Sequence, residues 1–503
     1  MNTAMSEKSK LHDIHFGTDG WRALIAKEFT YKNLEIFLNG LAMYLLENYG
    51  SNKPIVIGYD ARFLADKFAD FAAETLNSWG INALTIDHPV PTPVIAFAAE
   101  KYGSCGALMF TASHNPPEYM GIKYIPEYAG PASVAITDKI LEKVELAAAG
   151  KFTKPATSSA KKEVINPREE YFAKIRTLVN FDAIKKANQS KKTKLIYDPL
   201  FGCGRNYTNV LLKEAGFDVE TLHDLRDPTF GGSLPDPTEK RLTELKARIL
   251  ETGAALGAAN DGDSDRFAFF DEAGVFYPAN KSLSIILKYL IEERKFKGVV
   301  ARTVATTHLL DAVARKFDVK VIETAVGFKW LCEIMRAQDT ILCAEESGGM
   351  SILGHIPEKD GILAILLLAE VMAITGKKLS TLWEEVQEFA GVNFYYDRLD
   401  LHLDDKAGFM AKFDLSVGES QEASFLGETS EKLNAKRPNP ALKDIAGFKV
   451  LNVDKTEGAK IYLDNGSWFL ARPSGTEAMC RVYFEGNDKA QLDKLVAAVR
   501  DLI

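Results

Sequence analysis

The sequence predicts an α/β protein: three similar domains of strands and helices, then a smaller fourth domain of another plan. Three observations carry this. At 503 residues the chain is too long for one core. A series of strand, helix, strand and strand occurs three times, and each time the last strand runs into a polar loop. After Phe394 the pattern changes: Tyr395 to Leu403 alternates like a half-exposed strand, and Asp488 to Ile503 reads as a closing amphipathic helix. The expected domains are 1–162, 163–276, 277–393 and 394–503.

Phe16-Gly-Thr-Asp-Gly-Trp-Arg22 opens the chain's structure as a turn, and Tyr31 to Tyr49 has helical spacing that stops at Gly50. In the first series, Pro54 to Asp60 is a strand, Ala65 to Trp79 a helix ended by Gly80, and Ile81 to Ile86 a strand. Gly106 to Phe110 is the strand that delivers Thr111-Ala-Ser-His-Asn-Pro-Pro117. In the second, Lys194 to Tyr197 is a strand, Asn206 to Ala215 a helix and Phe217 to Leu222 a strand. Ala254 to Ala259 then delivers Asp261-Gly-Asp-Ser-Asp-Arg266. In the third, Gly298 to Ala301, Thr307 to Phe317 and Val319 to Ile322 repeat the order, and Ile341 to Ala344 delivers Glu345-Glu-Ser-Gly-Gly349. Linkers are expected at Ala147 to Lys162 and near Gly391.

Any strand must end in a polar loop, but that requirement predicts generic turn residues. It does not predict a serine loop, a triple-aspartate loop and a double-glutamate loop at matching places. Pro116 and Pro117 cannot continue a ladder, so Ser113 should stand exposed on a loop beyond a buried strand. A serine hydroxyl needs activation, and the adjacent His114 does not make a triad with it, since triad partners come from distant parts of a chain.

The alternate carboxylates of Asp261, Asp263 and Asp265 can converge on one hard cation, for which Mg²⁺ is the expectation. An EF-hand fails because Arg266 occupies the position that demands glycine. A phosphatase with an aspartate nucleophile stays open. Arg472-Pro-Ser-Gly-Thr-Glu477 offers a guanidinium fork, two hydroxyls and a glycine whose backbone can face a phosphate, and Arg481 can add a second fork. Glu345 and Ser347 can bind sugar hydroxyls, while Lys329 and Lys359 count for function only if they face an anionic cleft. Serine with a divalent metal points to phosphoryl transfer. No glycine-rich P-loop is present, so ATP is not the expected donor.

Composition narrows the rest. A net charge of −8 argues against non-specific nucleic-acid binding. No apolar run reaches membrane length; Ile362 to Thr375 is short, contains Glu370 and reads as a buried helix. Met1 to Asp13 lacks the apolar core of a signal peptide. Five cysteines without metal spacing read as free thiols in a reducing compartment.

The chain closely resembles the α-D-phosphohexomutase family, in its phosphoglucomutase/phosphomannomutase branch. The resemblance runs in order through Gly17-Thr-Asp-Gly-Trp-Arg22, Thr111-Ala-Ser-His-Asn-Pro116, Asp261-Gly-Asp-Ser-Asp265, Glu345-Glu-Ser-Gly348, His355-Ile-Pro-Glu-Lys-Asp-Gly361 and Arg472-Pro-Ser-Gly-Thr-Glu477. It implies three mixed-sheet α/β domains and a distinct α+β C-terminal domain around a central cleft. It further implies that Ser113 carries a phosphoryl group, and that Asp261, Asp263 and Asp265 hold Mg²⁺ with an oxygen of phosphorylated Ser113. Arg22, Lys123 and Arg266 would line the transfer site beside His114, with Lys359 as candidate acid/base. Glu345, Ser347 and Lys329 would bind the sugar; Arg472, Ser474, Gly475, Thr476 and Arg481 would hold the unreacting phosphate.

The implied reaction interconverts glucose 1-phosphate and glucose 6-phosphate through glucose 1,6-bisphosphate. Mannose or dual specificity is the alternative, and a sugar-phosphate phosphatase or a non-catalytic sensor is more distant. Gly349 stands where some mannose and glucosamine members carry histidine, which favours glucose; Ala478 stands where many relatives carry proline. The expected partners are small sugar phosphates, with no nucleic acid and no membrane, for a cytoplasmic monomer or homodimer.

Overall fold

The computed structural model describes residues 14–17, 19–190, 192–403, 405–413, 443–473 and 479–502. It divides into two compact units. One runs to Pro278 and includes Gly348–Leu379; the other comprises Ala279–Ser347 and the chain from Ser380 onward.

In the first unit, Ile55–Tyr59 pairs in parallel with Ala83–Thr85 on one side and Ala107–Phe110 on the other. Tyr119–Ile125 runs antiparallel to Ala107–Phe110, and Gly20–Leu24 antiparallel to Tyr119–Ile125. All five residues of Ile55–Tyr59 are buried, as expected of a parallel strand covered on both faces. The same order recurs in a second sheet. Lys194–Asp198 lies in parallel between Asp218–Thr221 and Leu256–Asn260, and Phe267–Asp271 returns antiparallel beside the last. In the second unit, Val299–Thr303 lies in parallel between Val321–Thr324 and Thr340–Ala344. The threefold series is therefore a geometric repeat, and the strand that carries each polar loop occupies the same place in each.

Parallel neighbours need a crossover. Thr92–Lys101, Thr243–Thr252 and Phe328–Ala337 supply it, one before each loop-bearing strand. The sequence shows no element at Thr92–Lys101 because the helix is buried from Thr92 to Ala99, leaving no polar face for periodicity to mark. The stretch expected as a linker is partly ordered at both ends. Ala147 and Ala148 finish the helix Val134–Ala148, and Lys162 starts the strand Lys162–Val164, which pairs in parallel with Ala83–Thr85. All three residues of that strand are exposed. Backbone pairing and an ion pair from Lys162 to Asp70 hold it, and that leaves no apolar side-chain pattern to read.

The apolar stretch after Asp360 is the helix Gly361–Thr375, buried continuously from Gly361 to Met372. A helix apolar all round needs cover on every side. It packs on the helices Phe181–Ala187 and Thr208–Glu214 and on the strands Leu256–Asn260 and Phe267–Asp271. Among the described residues, no helix is long and apolar enough to cross a membrane.

The C-terminal part is an antiparallel sheet. Its order is Tyr395–His402, Met479–Gly486, Trp468–Pro473, Ala459–Leu463, Phe448–Asp454 and Asp444–Ile445. The helix Lys489–Arg500 packs against it through Leu492, Leu495, Val496 and Val499, with Asp488 accepting from the Gln491 N–H as N-cap. The three α/β domains and the distinct C-terminal domain are thus as the sequence predicts. All five cysteines are buried free thiols.

Candidate active site

Two of the three loops meet inside the first unit. Ser113 is not exposed as expected from the strand end; it is 1% exposed and adopts a left-handed φ of 51°. Its burial has a local cause. Thr111 Oγ1 accepts from the Ser113 N–H at 2.8 Å, and the Arg62 guanidinium takes the Ser113 carbonyl at 2.7 Å, turning the loop back onto the protein. Ser113 Oγ donates to Asp261 Oδ2 at 3.0 Å and lies 3.2 Å from His114 Nδ1. Gly262 lets the loops touch: a Cβ there would stand 2.9 Å from the Ser113 carbonyl oxygen.

The aspartate loop is also buried. Asp261 and Asp263 are 0% exposed, and one oxygen from each of Asp261, Asp263 and Asp265 falls within 4.8 Å of the others. Lys123 bridges three carboxylates, at 2.9 Å from Asp19 and 3.0 Å from both Asp263 and Asp265. Lys359 lies 2.9 Å from Glu358, 3.5 Å from Asp265 and 3.8 Å from Asp19. Thr92 Oγ1 donates to Asp263 at 2.7 Å, and the Arg266 N–H to Asp261 at 3.0 Å. Arg22 reaches Asn115 at 3.1 Å and Asp19 at 3.3 Å; Arg266 Nε stands 4.0 Å from Asp265.

The electrostatics are divided. Burial, reinforced by the charges of Asp263 and Asp265, pushes the Asp261 carboxyl well above the usual range. Burial acts on Asp263 and Asp19 too, but Lys123 leads the charges that hold both below it. Burial would lower Lys123, yet Asp19, Asp263 and Asp265 raise it, so it stays an ammonium.

The donor set fits a hard divalent cation. Asp263 Oδ1 and Asp265 Oδ1 are buried without a hydrogen-bond partner, and Asp261 is disfavoured as an anion by its two neighbours. Unpaired buried carboxylate oxygens are costly unless a cation meets them.

All nine first-unit residues singled out from the sequence converge here: Arg22, Ser113, His114, Lys123, Asp261, Asp263, Asp265, Arg266 and Lys359. Sequence reasoning missed Asp19, Asp60, Arg62, Thr92, Thr111 and Glu358 as participants. Asp19, Thr111 and Glu358 lie inside quoted motifs, and Asp60 directly follows a buried strand, near where Asp198 ends one in the second repeat; those were the available signals. In the second unit, Glu345 is buried, Ser347 and Lys329 are half-buried, and Lys329 Nζ lies 5.4 Å from the Trp330 ring centroid. Arg472 and Arg481 are opposite each other on paired strands, and Arg472 Nε donates to Glu457 at 2.8 Å. Ser474, Gly475 and Thr476 lie outside the described residues.

Comparison with known proteins agrees with this architecture. The descriptions "Phosphoglucomutase/phosphomannomutase, alpha/beta/alpha domain" I, II and III match residues 13–150, 169–274 and 278–389, and the C-terminal domain of the same family matches 433–502. A phosphoglucomutase/phosphomannomutase of Thermococcus kodakarensis is 29% identical over 482 residues, 94% of this chain and 95% of that one. A probable phosphoglucosamine mutase of Methanosarcina barkeri is 33% identical over 477 residues, again 94% and 95%. The crystal structure of a Thermus thermophilus protein, whose phosphomannomutase name is provisional, superposes with a TM-score of 0.80 at 28% identity, over 97% of this chain and 98% of that one. The protein is an isomerase of the phosphohexomutase class. Its chain belongs to the phosphoglucomutase/phosphomannomutase family.

Proposed function

We propose that the chain is a Mg²⁺-dependent phosphoglucomutase with Ser113 as phosphoryl carrier. The observation that carries this is Ser113 Oγ, 3.0 Å from Asp261 within a buried group of three aspartates that leaves carboxylate oxygens unpaired. Asp261, Asp263 and Asp265 would hold Mg²⁺, which would neutralise charge on the migrating phosphoryl group.

The chain's own residues account for the remaining work. Phosphorylated Ser113 presents its phosphorus to O6 of glucose 1-phosphate; the new O6–P bond forms as the Ser113 Oγ–P bond breaks. Arg22, Lys123 and Arg266 offset the phosphoryl charge. Lys359, the candidate acid/base, would relay the proton that O6 loses to Ser113 Oγ as that oxygen leaves phosphorus, so the proton count is unchanged across the transfer. Glucose 1,6-bisphosphate then turns over, O1–P breaks as Ser113 Oγ–P re-forms, and glucose 6-phosphate is released. Glu345, Ser347 and Lys329 would read the sugar. Arg472, Ser474, Gly475, Thr476 and Arg481 would keep the idle phosphate through both half-reactions. We place the enzyme in the cytoplasm, in keeping with five buried free thiols.

The relatives carry glucose, mannose and glucosamine names, and Gly349 favours glucose here. Turnover of glucose, mannose, glucosamine and ribose 1-phosphates measured side by side, with intact-mass detection of phosphate on Ser113, tests the proposal. A main product of inorganic phosphate would replace it with a phosphatase. Binding without turnover would replace it with a sensor. Faster turnover of mannose or glucosamine 1-phosphate would move the specificity.

A further inference from the structure

The loop that carries Ser113 leaves the sheet until Tyr119 starts the next strand, and several of its carbonyl groups turn inward. Buried backbone acceptors need donors. One side chain supplies most of them. Arg62 Nη2 donates to the carbonyls of Ser113 at 2.7 Å and Asn115 at 2.6 Å, and Nη1 to those of Pro116 at 2.7 Å and Tyr119 at 3.1 Å. Nε donates to Asp60 Oδ2 at 3.1 Å. An arginine has five N–H donors, and these five bonds use them. Arg62 is 0% exposed.

The anchor of the guanidinium also holds the other side of Ser113. Asp60 Oδ2 accepts from Thr111 Oγ1 at 2.6 Å, and Thr111 Oγ1 accepts from the Ser113 N–H at 2.8 Å. The N–H and the carbonyl of Ser113 are thus both tied to the Asp60–Arg62 pair. The second repeat closes over that pair. The Phe230 ring centroid lies 5.0 Å from the guanidinium carbon, and Arg226 donates to the carbonyls of Ala61 and Arg62 at 3.3 and 3.4 Å.

We propose that Arg62 is a positioning residue for phosphoryl transfer: it fixes residues 113–119 against the second repeat, so that Ser113 Oγ keeps its place beside the aspartate loop. This rests on the reading of Ser113 as carrier. Arg62 has no donor left for a phosphate, so its effect runs through the loop it holds, which carries Ser113. Lysine keeps the charge but cannot span four carbonyls from one compact ammonium.

The test uses Arg62→Lys, Arg62→Ala and, as a milder cut that removes the hydroxyl bridge from Asp60 to the Ser113 N–H, Thr111→Val. A misplacement of about 1 Å costs on the order of a hundredfold in rate. We therefore expect Arg62→Lys to lower kcat by about ten- to a hundredfold with KM changed less than about threefold, because substrate contacts are intact. Thr111→Val should show a smaller loss of the same kind. Added guanidinium should restore part of the Arg62→Ala rate, and amide exchange over residues 111–121 should quicken in both Arg62 variants while the core strands stay protected. Wild-type kcat in Arg62→Lys overturns the proposal. So does a loss shared equally by kcat and KM without guanidinium rescue, or unchanged exchange in the loop. Absence of phosphate on wild-type Ser113 after incubation with glucose 1,6-bisphosphate would instead sink the carrier reading, and the exchange measurement still decides whether Arg62 holds the loop.

Discussion

Each unit buries a cluster of charges, and the two clusters are built on opposite terms. In the second unit, Arg302 gives two bonds to Asp311, at 2.5 and 2.9 Å, and one to Glu323 at 2.6 Å. Lys460 meets the Val304 carbonyl at 2.7 Å, His308 Nε2 at 2.9 Å and Glu323 at 3.1 Å, so its three donors have three acceptors. The Trp468 ring covers the same ammonium, with its centroid 4.2 Å away. Burial, with Lys460 and Arg302 beside it, pushes His308 down to about 4, which leaves a neutral ring able to accept. This cluster is closed. In the first unit Asp263 and Asp265 keep unpaired oxygens, and Asp261 sits between like charges. Both clusters cost desolvation. The closed one recovers it by joining the α/β repeat to the C-terminal sheet, whereas the open one recovers it when a ligand arrives.

The comparison breaks first at Ser113. Ser113→Ala should lower turnover by about three or more orders of magnitude, as loss of a covalent carrier does, with little change in melting temperature. A steady-state assay near the wild-type rate would show that the open cluster does not serve phosphoryl transfer through this hydroxyl. Lys460→Met should do the reverse. It leaves Glu323 and His308 without their ammonium, and removing one partner of a buried pair costs about 3–5 kcal/mol. The melting temperature should drop clearly while turnover per folded molecule, assayed well below the transition, changes little. A variant as stable as wild type would show that the closed cluster holds nothing.

Cation linkage sharpens the contrast further. Mg²⁺ at about a hundred times its Kd should stabilise the protein by about 2.7 kcal/mol, and thermal melts with and without chelator measure that. Asp263→Asn should abolish the response and Lys460→Met should keep it. An undiminished response in Asp263→Asn would place the cation elsewhere. The smallest effect concerns Glu485, which burial pushes up to about 7 against the Thr307, His308 N–H and Trp468 bonds that favour its anion. A carboxyl whose folded value exceeds its unfolded one contributes stability below the unfolded value and loses it as pH rises through 7. Melting temperature should therefore decline from pH 5 to 8, and Glu485→Gln should flatten that decline. An equal slope in both proteins would clear Glu485 of the effect.

The sequence made the threefold plan legible because the strands are short apolar runs and the loops between them carry unusual residue types at matching places. Ser113 and the three aspartates stood out for that reason, and the helix Gly361–Thr375 because its apolar run is too long for a strand. What stayed hidden depends on pairing across the chain. Lys123 meets Asp263 and Asp265 across 140 and 142 residues, and Arg62 takes loop carbonyls 51 to 57 residues away. A buried arginine whose partners are backbone oxygens leaves no mark, because any residue type supplies those oxygens. Ser113's burial was hidden likewise, since a loop that carries two prolines ordinarily faces water.

The helix Gly361–Thr375 sets the order in which this protein can be made. It completes the apolar cover of the second repeat's sheet, yet the ribosome reaches it only after Ala279–Ser347, a stretch of the other unit. Domains usually fold as they emerge, N-terminal first. Here the N-terminal unit must wait with the strands Leu256–Asn260 and Phe267–Asp271 only partly covered while part of its neighbour is synthesised, and that interval is when a nascent chain would most need a chaperone's shelter.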